Sequence, residues 1–566
     1  MSDIPKGAVL ADEFRVDSDS AAVLAVIDST DPRGALFRQV LLPVLRFWGV
    51  PLRLLDLADL PAEPPDPGAV ALVLLAQEGI AAERLSGAAG LIGRAARAGA
   101  GLVVCDPAIE ASVDEAGGLA LSVRPWSGIH AVGAATVAGD GFVTRLQRSL
   151  GRLAFDKPVP ALARGGGTVA LAAADGTPLL VLRDGPPRIV EWGLSTSLWA
   201  ADSFGFGRGA DALLWRSLLW AARRPFAMAA FPPFGRFRFD DCRGLWRGPQ
   251  DLAFLAVMAE LGERPNLGIC LSAVTDEGWR ELAARARRGE IEVVPHVQAP
   301  EVGIFNVAEL PEGGTAAPDP LAAGIRDLFA AHGCPMADSV SDHNHEITAR
   351  GRRIARELGM RSRMNVLRLG ETWDGLHRDW RPAPFGRLNY VLDRFVDAPE
   401  LFTAINHHLA FDQSLTRLPD GHFLCTTFGG FTADRWDFLN GLVDGQGRVD
   451  LDAAAGRLAV HAELALNSLF FLGSISHTHF IRHLDAAGWR RLLEAYRGAA
   501  DPHGHRPRPY GEIAAYAAWR AALGAVRIAP EPAAEGPGPA LWGVLARDGG
   551  AEPVLSWGPL SHSGAA

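Results

Sequence analysis

The 566-residue sequence predicts an α/β protein, with a doubly wound parallel sheet followed, past a proline- and phenylalanine-rich joint, by a distorted (β/α) barrel. Three observations carry that expectation. Short, continuous apolar runs recur in the first segment at the length of strands buried on both faces. Strand-like and helix-like stretches alternate across residues 235–525. Aspartates and histidines then fall at the carboxyl ends of those later strands, where parallel β/α folds collect their function.

In the first domain, residues 1–228, the apolar runs are Ala22–Ile27, Val70–Leu75 and 101–105, and a helix over 88–98 is ended by Gly99 and Gly101. Strands at 168–173, 179–183 and 188–193 follow, and a helix over 210–222 closes the unit. This element order, with Trp192 and Trp220 near its end, resembles the class I glutamine amidotransferase-like fold in its non-catalytic form. Activity in that fold needs a cysteine on a Gly-x-Cys-x-Gly elbow backed by a histidine. Cys105 stands in Val104-Cys105-Asp106-Pro107 without those glycines, and His130 is the domain's one histidine. The domain therefore reads as a silent scaffold or binding module, with Cys105 in its core.

The joint runs from Arg224-Pro225-Phe226 to Phe231-Pro232-Pro233-Phe234-Gly235. In the second domain, residues 229–525, strands are expected at 236–241, 267–271, 291–296, 337–340 and 469–475, and helices at 250–261, 277–288, 321–331 and 347–358. Residues 300–320 and 366–400 read as long loops over the barrel mouth. A C-terminal extension, 526–566, reads as a short strand pair packed back on the body.

Composition excludes several classes. With 48% hydrophobic and 21% charged residues the chain is globular, and a net charge of −10 argues against a general nucleic-acid binder. The first residues lack the charged, apolar, small-residue order of a secretory signal. No apolar run reaches the ~18 residues of a membrane span. The five cysteines are scattered, with no CxxC, which suits a reducing compartment. The expected location is thus cytoplasmic, or extracellular or in the envelope if a leader is missing from this chain.

The chemistry concentrates in the second domain. Of 16 histidines, all but His130 and His562 lie between His296 and His505. Asp240 and Asp241 end the strand Arg238-Phe239-Asp240-Asp241, His296 ends Ile291-Glu292-Val293-Val294-Pro295, His343 and His345 follow Val340-Ser341-Asp342, and His477 and His479 follow Phe471 through Ser476. Paired carboxylates suit a division of labour in which one ligates a cation whose field keeps its neighbour ionised as a base. Among the remaining candidates, His407-His408 reads as structural and His503-Gly504-His505, between Pro502 and Pro507, as exposed loop. Trp246, Trp373, Trp380 and Trp436 are of the type that stacks on sugar rings or fills cores.

Arg238-Phe239-Asp240-Asp241, the glycine-led strand Gly289 to His296, and Phe471 to His477 resemble, in order and setting, the motifs of the polysaccharide deacetylase family of carbohydrate esterases. The resemblance implies Asp240 as base, Asp241 and His296 as metal ligands, and a late histidine, His477 or His479, as acid. Val297 to Val302 lacks the family's second ligand histidine, and Arg381-Pro382-Ala383-Pro384-Phe385-Gly386 is a poor counterpart of its arginine-proline motif. On chemical grounds His343 or His345 supplies the missing ligand. The expected cofactor is one divalent ion, Zn²⁺ first, with Co²⁺, Ni²⁺ or Mn²⁺ also suited. The expected reaction is removal of N-acetyl groups from amino sugars of a glycan. Two alternatives stand beside it: an inactive glycan-binding or interaction protein, and a glycoside hydrolase, for which adjacent Asp240 and Asp241 cannot alone span the required gap.

Overall fold

The computed structural model describes residues 22–34, 36–61, 65–114, 118–125, 130–145, 147, 151–199, 203–206, 208–222, 225–245, 248–300, 302–307, 318–341, 343, 349–360, 362–366, 371–372, 379–380, 423–427, 438–439, 441–522, 526–532, 541–547, 549–550 and 552–564. The structure is mixed α/β. The chain divides into one unit of residues 1–231, 467–469 and 521–566 and another of 232–466 and 470–520. Among the described residues, no helix is long and apolar enough to cross a membrane.

In the first unit, β1 (Ala22–Ile27), β2 (Leu52–Asp56), β3 (Val70–Leu75) and β4 (Gly101–Val104) run parallel in the order β2-β1-β3-β4. β1, β3 and β4 are buried along their whole length, as expected of strands covered on both faces. The helix Ala82–Arg97 supplies the crossover from β3 to β4. β5 (Ile109–Val113) and β6 (Leu119–Val123) form a separate hairpin. The sheet continues past β4 through β11 (Ile189–Trp192), β10 (Pro178–Arg183), β9 (Thr168–Ala173), β7 (His130–Val137) and β8 (Arg152–Ala161), nine strands in all. Beyond β11 every pairing is antiparallel. The expected parallel sheet is thus parallel only over half its width. The links from β9 to β10 and from β10 to β11 are a few residues long, enough for a hairpin and too short for a parallel crossover. β12 (Phe226–Met228) belongs to a four-stranded antiparallel sheet with Trp542–Arg547, Val554–Gly564 and Val526–Pro532.

The second unit repeats strand then helix. β13 (Phe234–Cys242), β14 (Asn266–Cys270) and β15 (Glu292–Ala299) are parallel neighbours, and β16 (Val302–Gly303) turns back against β15. β17 (Ser339–Ser341), β18 (Ser362–Val366) and β21 (Phe423–Thr427) form a second parallel sheet, with β19 (Glu371–Thr372) and β20 (Asp379–Trp380) as a small antiparallel pair. β22 (Leu472–His477) pairs parallel with β13 on its free side. The helices Phe254–Glu260, Asp276–Arg287, Pro320–Ala331, Ala349–Glu357 and Leu451–Asn467 intervene. Their starts are written locally. Thr275 caps Asp276–Arg287 by accepting from Gly278 N, with Asp276 and Glu277 in the first turn and Arg285 and Arg287 in the last, and Asp319 caps the next helix through Leu321 N. Ala337 N donates to Val293 O at 2.9 Å, bringing the segment before β17 alongside β15. Among the described residues no pairing joins β21 to β22.

Alternation along β13 decides which side chains reach the interior. Phe237 and Phe239 pack on Tyr496, Trp489, Phe254 and Phe438, toward the helices, so Arg236, Arg238 and Asp240 face the other way. His505, expected on an exposed loop, instead has a buried side chain, 3.4 Å from both Glu263 Oε1 and the Tyr496 hydroxyl, and His503 is buried as well. Those two polar partners make the burial tolerable.

Burial in the helix Leu451–Asn467 pushes His461 down to about 3. An unfolded histidine titrates near 6.5, so between these values the unfolded chain binds a proton that the folded one refuses. The contribution is full above pH ~6.5 and is lost progressively as pH falls from there toward about 3, by up to ~1.4 kcal/mol per pH unit. Urea midpoints at pH 7 and pH 5 should fall less for His461→Phe than for the natural chain. An equal fall in both would refute the assignment.

Candidate metal centre

Two β-bulges at the carboxyl ends of neighbouring strands build the site. Between β13 and β14 the register passes from Phe239 opposite Leu267 to Cys242 opposite Ile269, so Asp240 and Asp241 together face the single residue Gly268. Between β14 and β15 it passes from Ile269 opposite Pro295 to Cys270 opposite Val297, which makes His296 the extra residue. A bulge re-aims side chains that a regular strand would send alternately to its two faces. Asp241 takes a left-handed φ of 58°, a conformation that aspartate tolerates better than most residues. Such local strain is typical of functional positions.

The bulges turn Asp241 and His296 toward each other, with His296 Nε2 3.6 Å from Asp241 Oδ1. The His343 ring, just after β17, lies 5.5 Å from that of His296 at an interplanar angle of 71°. One donor atom from each of Asp241, His296 and His343 lies within 4.8 Å of the other two. A carboxylate and two imidazoles form an N/O donor set suited to Zn²⁺, Co²⁺, Ni²⁺ or Mn²⁺, and donors this close can converge on one ion. His296 is buried while Asp241 is about a third exposed, so the cluster sits at the edge of the interior.

Asp240, the chain neighbour of Asp241, is buried. Arg238, two residues earlier on the same face of β13, holds both of its oxygens: Nε donates to Oδ1 at 2.9 Å and Nη2 reaches Oδ2 at 2.6 Å. Burial alone would raise the Asp240 pKa, but the Arg238 charge, with the nearby His296 and His477 and the Arg238 hydrogen bond, outweighs it. The group is therefore held well below the usual carboxylate range. On the other side of β13, Asp240 is the register partner of His477 on β22, and Thr478 Oγ1 donates to the Asp240 carbonyl at 3.2 Å. His477 is half-buried, and its ring is 5.4 Å from that of the exposed His479.

Of the sequence candidates, Asp240, Asp241, His296, His343 and His477 thus gather at adjacent strand ends. His345 lies outside the described residues, as do His407, His408, Trp246, Trp373, Trp436 and residues 381–386. Arg238 was not singled out from the sequence. Its signal is the strict alternation Arg236-Phe237-Arg238-Phe239-Asp240, which puts two arginines and an aspartate on one face of a strand whose other face is aromatic.

Among the described residues, the first unit has no comparable cluster at its cysteine. Cys105 is buried and burial pushes its thiol far up, the opposite of what a nucleophile needs. In the sheet, three strands stand between β4, which Cys105 follows, and β7, which begins with His130. At strand spacings of ~4.8 Å the two cannot work as a pair.

No protein-family model matches the sequence, and no curated protein matches it. Among solved structures, the chain is similar to a polysaccharide deacetylase from Bacillus cereus, with 10% identity and a TM-score of 0.22 over 49% of this chain and 92% of that one.

Proposed function

We propose that this chain is a metal-dependent hydrolase that removes N-acetyl groups from amino sugars of a polysaccharide or glycan. The proposed architecture is a distorted (β/α) barrel preceded by a non-catalytic amidotransferase-like domain, with boundaries near residues 228 and 525. The observation that carries the reading is the convergence of Asp241, His296 and His343 beside a buried Asp240 clamped by Arg238. Asp241, His296 and His343 would hold the ion. When bound, a divalent ion supplies Lewis acidity toward a carbonyl oxygen and acidifies water.

The remaining work falls to the chain's own side chains. Asp240, kept as a carboxylate by Arg238, accepts at an oxygen the proton of the attacking water. His477, paired with Asp240 across β13 and β22, donates a proton from its ring to the departing amine. Water is added across the amide bond, acetate leaves, and the sugar keeps a free amine.

With N-acetylated oligosaccharides the protein should release acetate, stop after dialysis against a chelator, and resume when Zn²⁺ or Co²⁺ is restored. Failure to release acetate with metal restored, together with retention on an immobilised N-acetylated glycan, would favour recognition without turnover.

A further inference from the structure

We infer that Gly268 is a positioning residue for Asp240, because the absence of a side chain there creates the socket that the Asp240 carboxylate fills. The inference deepens the proposed reaction and rests on it for its catalytic consequence. Its structural part stands alone. A Cβ placed on Gly268 would lie 2.6 Å from Asp240 Oδ1 and 3.1 Å from the Cβ of His296. The first distance is shorter than any tolerable non-bonded contact, and Asp240 has little room to yield. Its two oxygens are clamped by Arg238, its carbonyl is tied to Thr478, and its backbone is fixed by register with His477. Gly268 is also the one residue that β14 sets against both members of the Asp240-Asp241 bulge.

Ordinary backbone needs do not explain this glycine. Gly268 does not adopt a positive φ, it lies in the middle of a strand buried throughout, and a glycine there weakens the strand. Close approach of another group is what a strand glycine commonly serves. Here that group is the Asp240 carboxylate, whose other wall is Arg238. Arg238 is itself backed by its register partner Asn266, which donates to Glu292 at 3.2 Å.

The added methyl would press hardest on Asp240 and less on His296, whose Cγ would lie 3.2 Å away, so Gly268→Ala should separate two properties. Metal content should fall far less than turnover. Acetate release should fall by ~10²-fold in kcat, the scale expected when a reacting group is displaced by about 1 Å, with KM little changed. A stability cycle reads the socket without reference to activity. Gly268→Ala should lower Tm in the natural chain, and most of that fall should vanish in an Asp240→Ala background, where the obstructing carboxylate is gone.

An equal fall in Tm in both backgrounds would overturn the inference, as would natural kcat in Gly268→Ala. If the natural chain itself releases no acetate, the reaction falls and the stability cycle still decides the socket. If Gly268→Ala does not fold alone, recovery of folding in Gly268→Ala with Asp240→Ala supports the socket, and failure of the double variant to recover contradicts it.

Discussion

Asp240→Asn should abolish acetate release, by ~10²–10⁴-fold, while the protein keeps its metal. The substitution preserves the shape of the side chain and removes its capacity to take a proton. It leaves Asp241, His296 and His343 untouched, and these are the three residues whose donor atoms converge. Stability should also fall. Asp240 and Arg238 are both buried and joined through two contacts, and the amide of asparagine presents a donor to one of the guanidinium donors. Breaking one partner of a buried pair commonly costs about 3–5 kcal/mol, so activity must be compared on protein shown to be folded at the assay temperature. Natural turnover in a folded Asp240→Asn would remove Asp240 from the role of base.

Much of the fold was legible because apolar runs and helix punctuation are local. β1, β3 and β4 stand out as continuous apolar strands, since covered strands need no polar face, and β9, β10 and β11 as strand runs. Strand direction was less so. The antiparallel half of the first sheet follows from short links whose consequence depends on which strands become neighbours.

At the site, residue types at strand ends pointed to Asp240, Asp241, His296, the pair His343 and His345 and the pair His477 and His479, whereas the convergence of donor atoms from Asp241, His296 and His343 is seen only in three dimensions. The two bulges are invisible in sequence, because an extra residue in a ladder is defined only against its partner strand. Gly268 carries no chemistry of its own and gains meaning only from what lies opposite it. His505 was misjudged because its neighbouring prolines suggested a surface loop, while the partners that allow its burial, Glu263 and Tyr496, are supplied by other segments.

His296→Ala and Asp241→Asn should each lose the metal. His296 is the buried member of the proposed ligand set, 3.6 Å from Asp241 and with its ring 5.5 Å from that of His343. Asparagine is the better test at position 241, because it tolerates the left-handed φ of 58° that alanine would strain, while its neutral amide is a weaker ligand than a carboxylate. Loss of a direct ligand should exceed the ~10–100-fold affinity penalty of losing a supporting group. Acetate release should disappear with the metal and return only partly at high added Zn²⁺.

The most direct measurement is metal content by elemental analysis of the natural protein after reconstitution and gel filtration, beside His296→Ala and Asp241→Asn. The account predicts close to one divalent ion per chain in the natural protein and little in either variant. A natural protein that retains no metal, or variants that retain as much as it does, would contradict it.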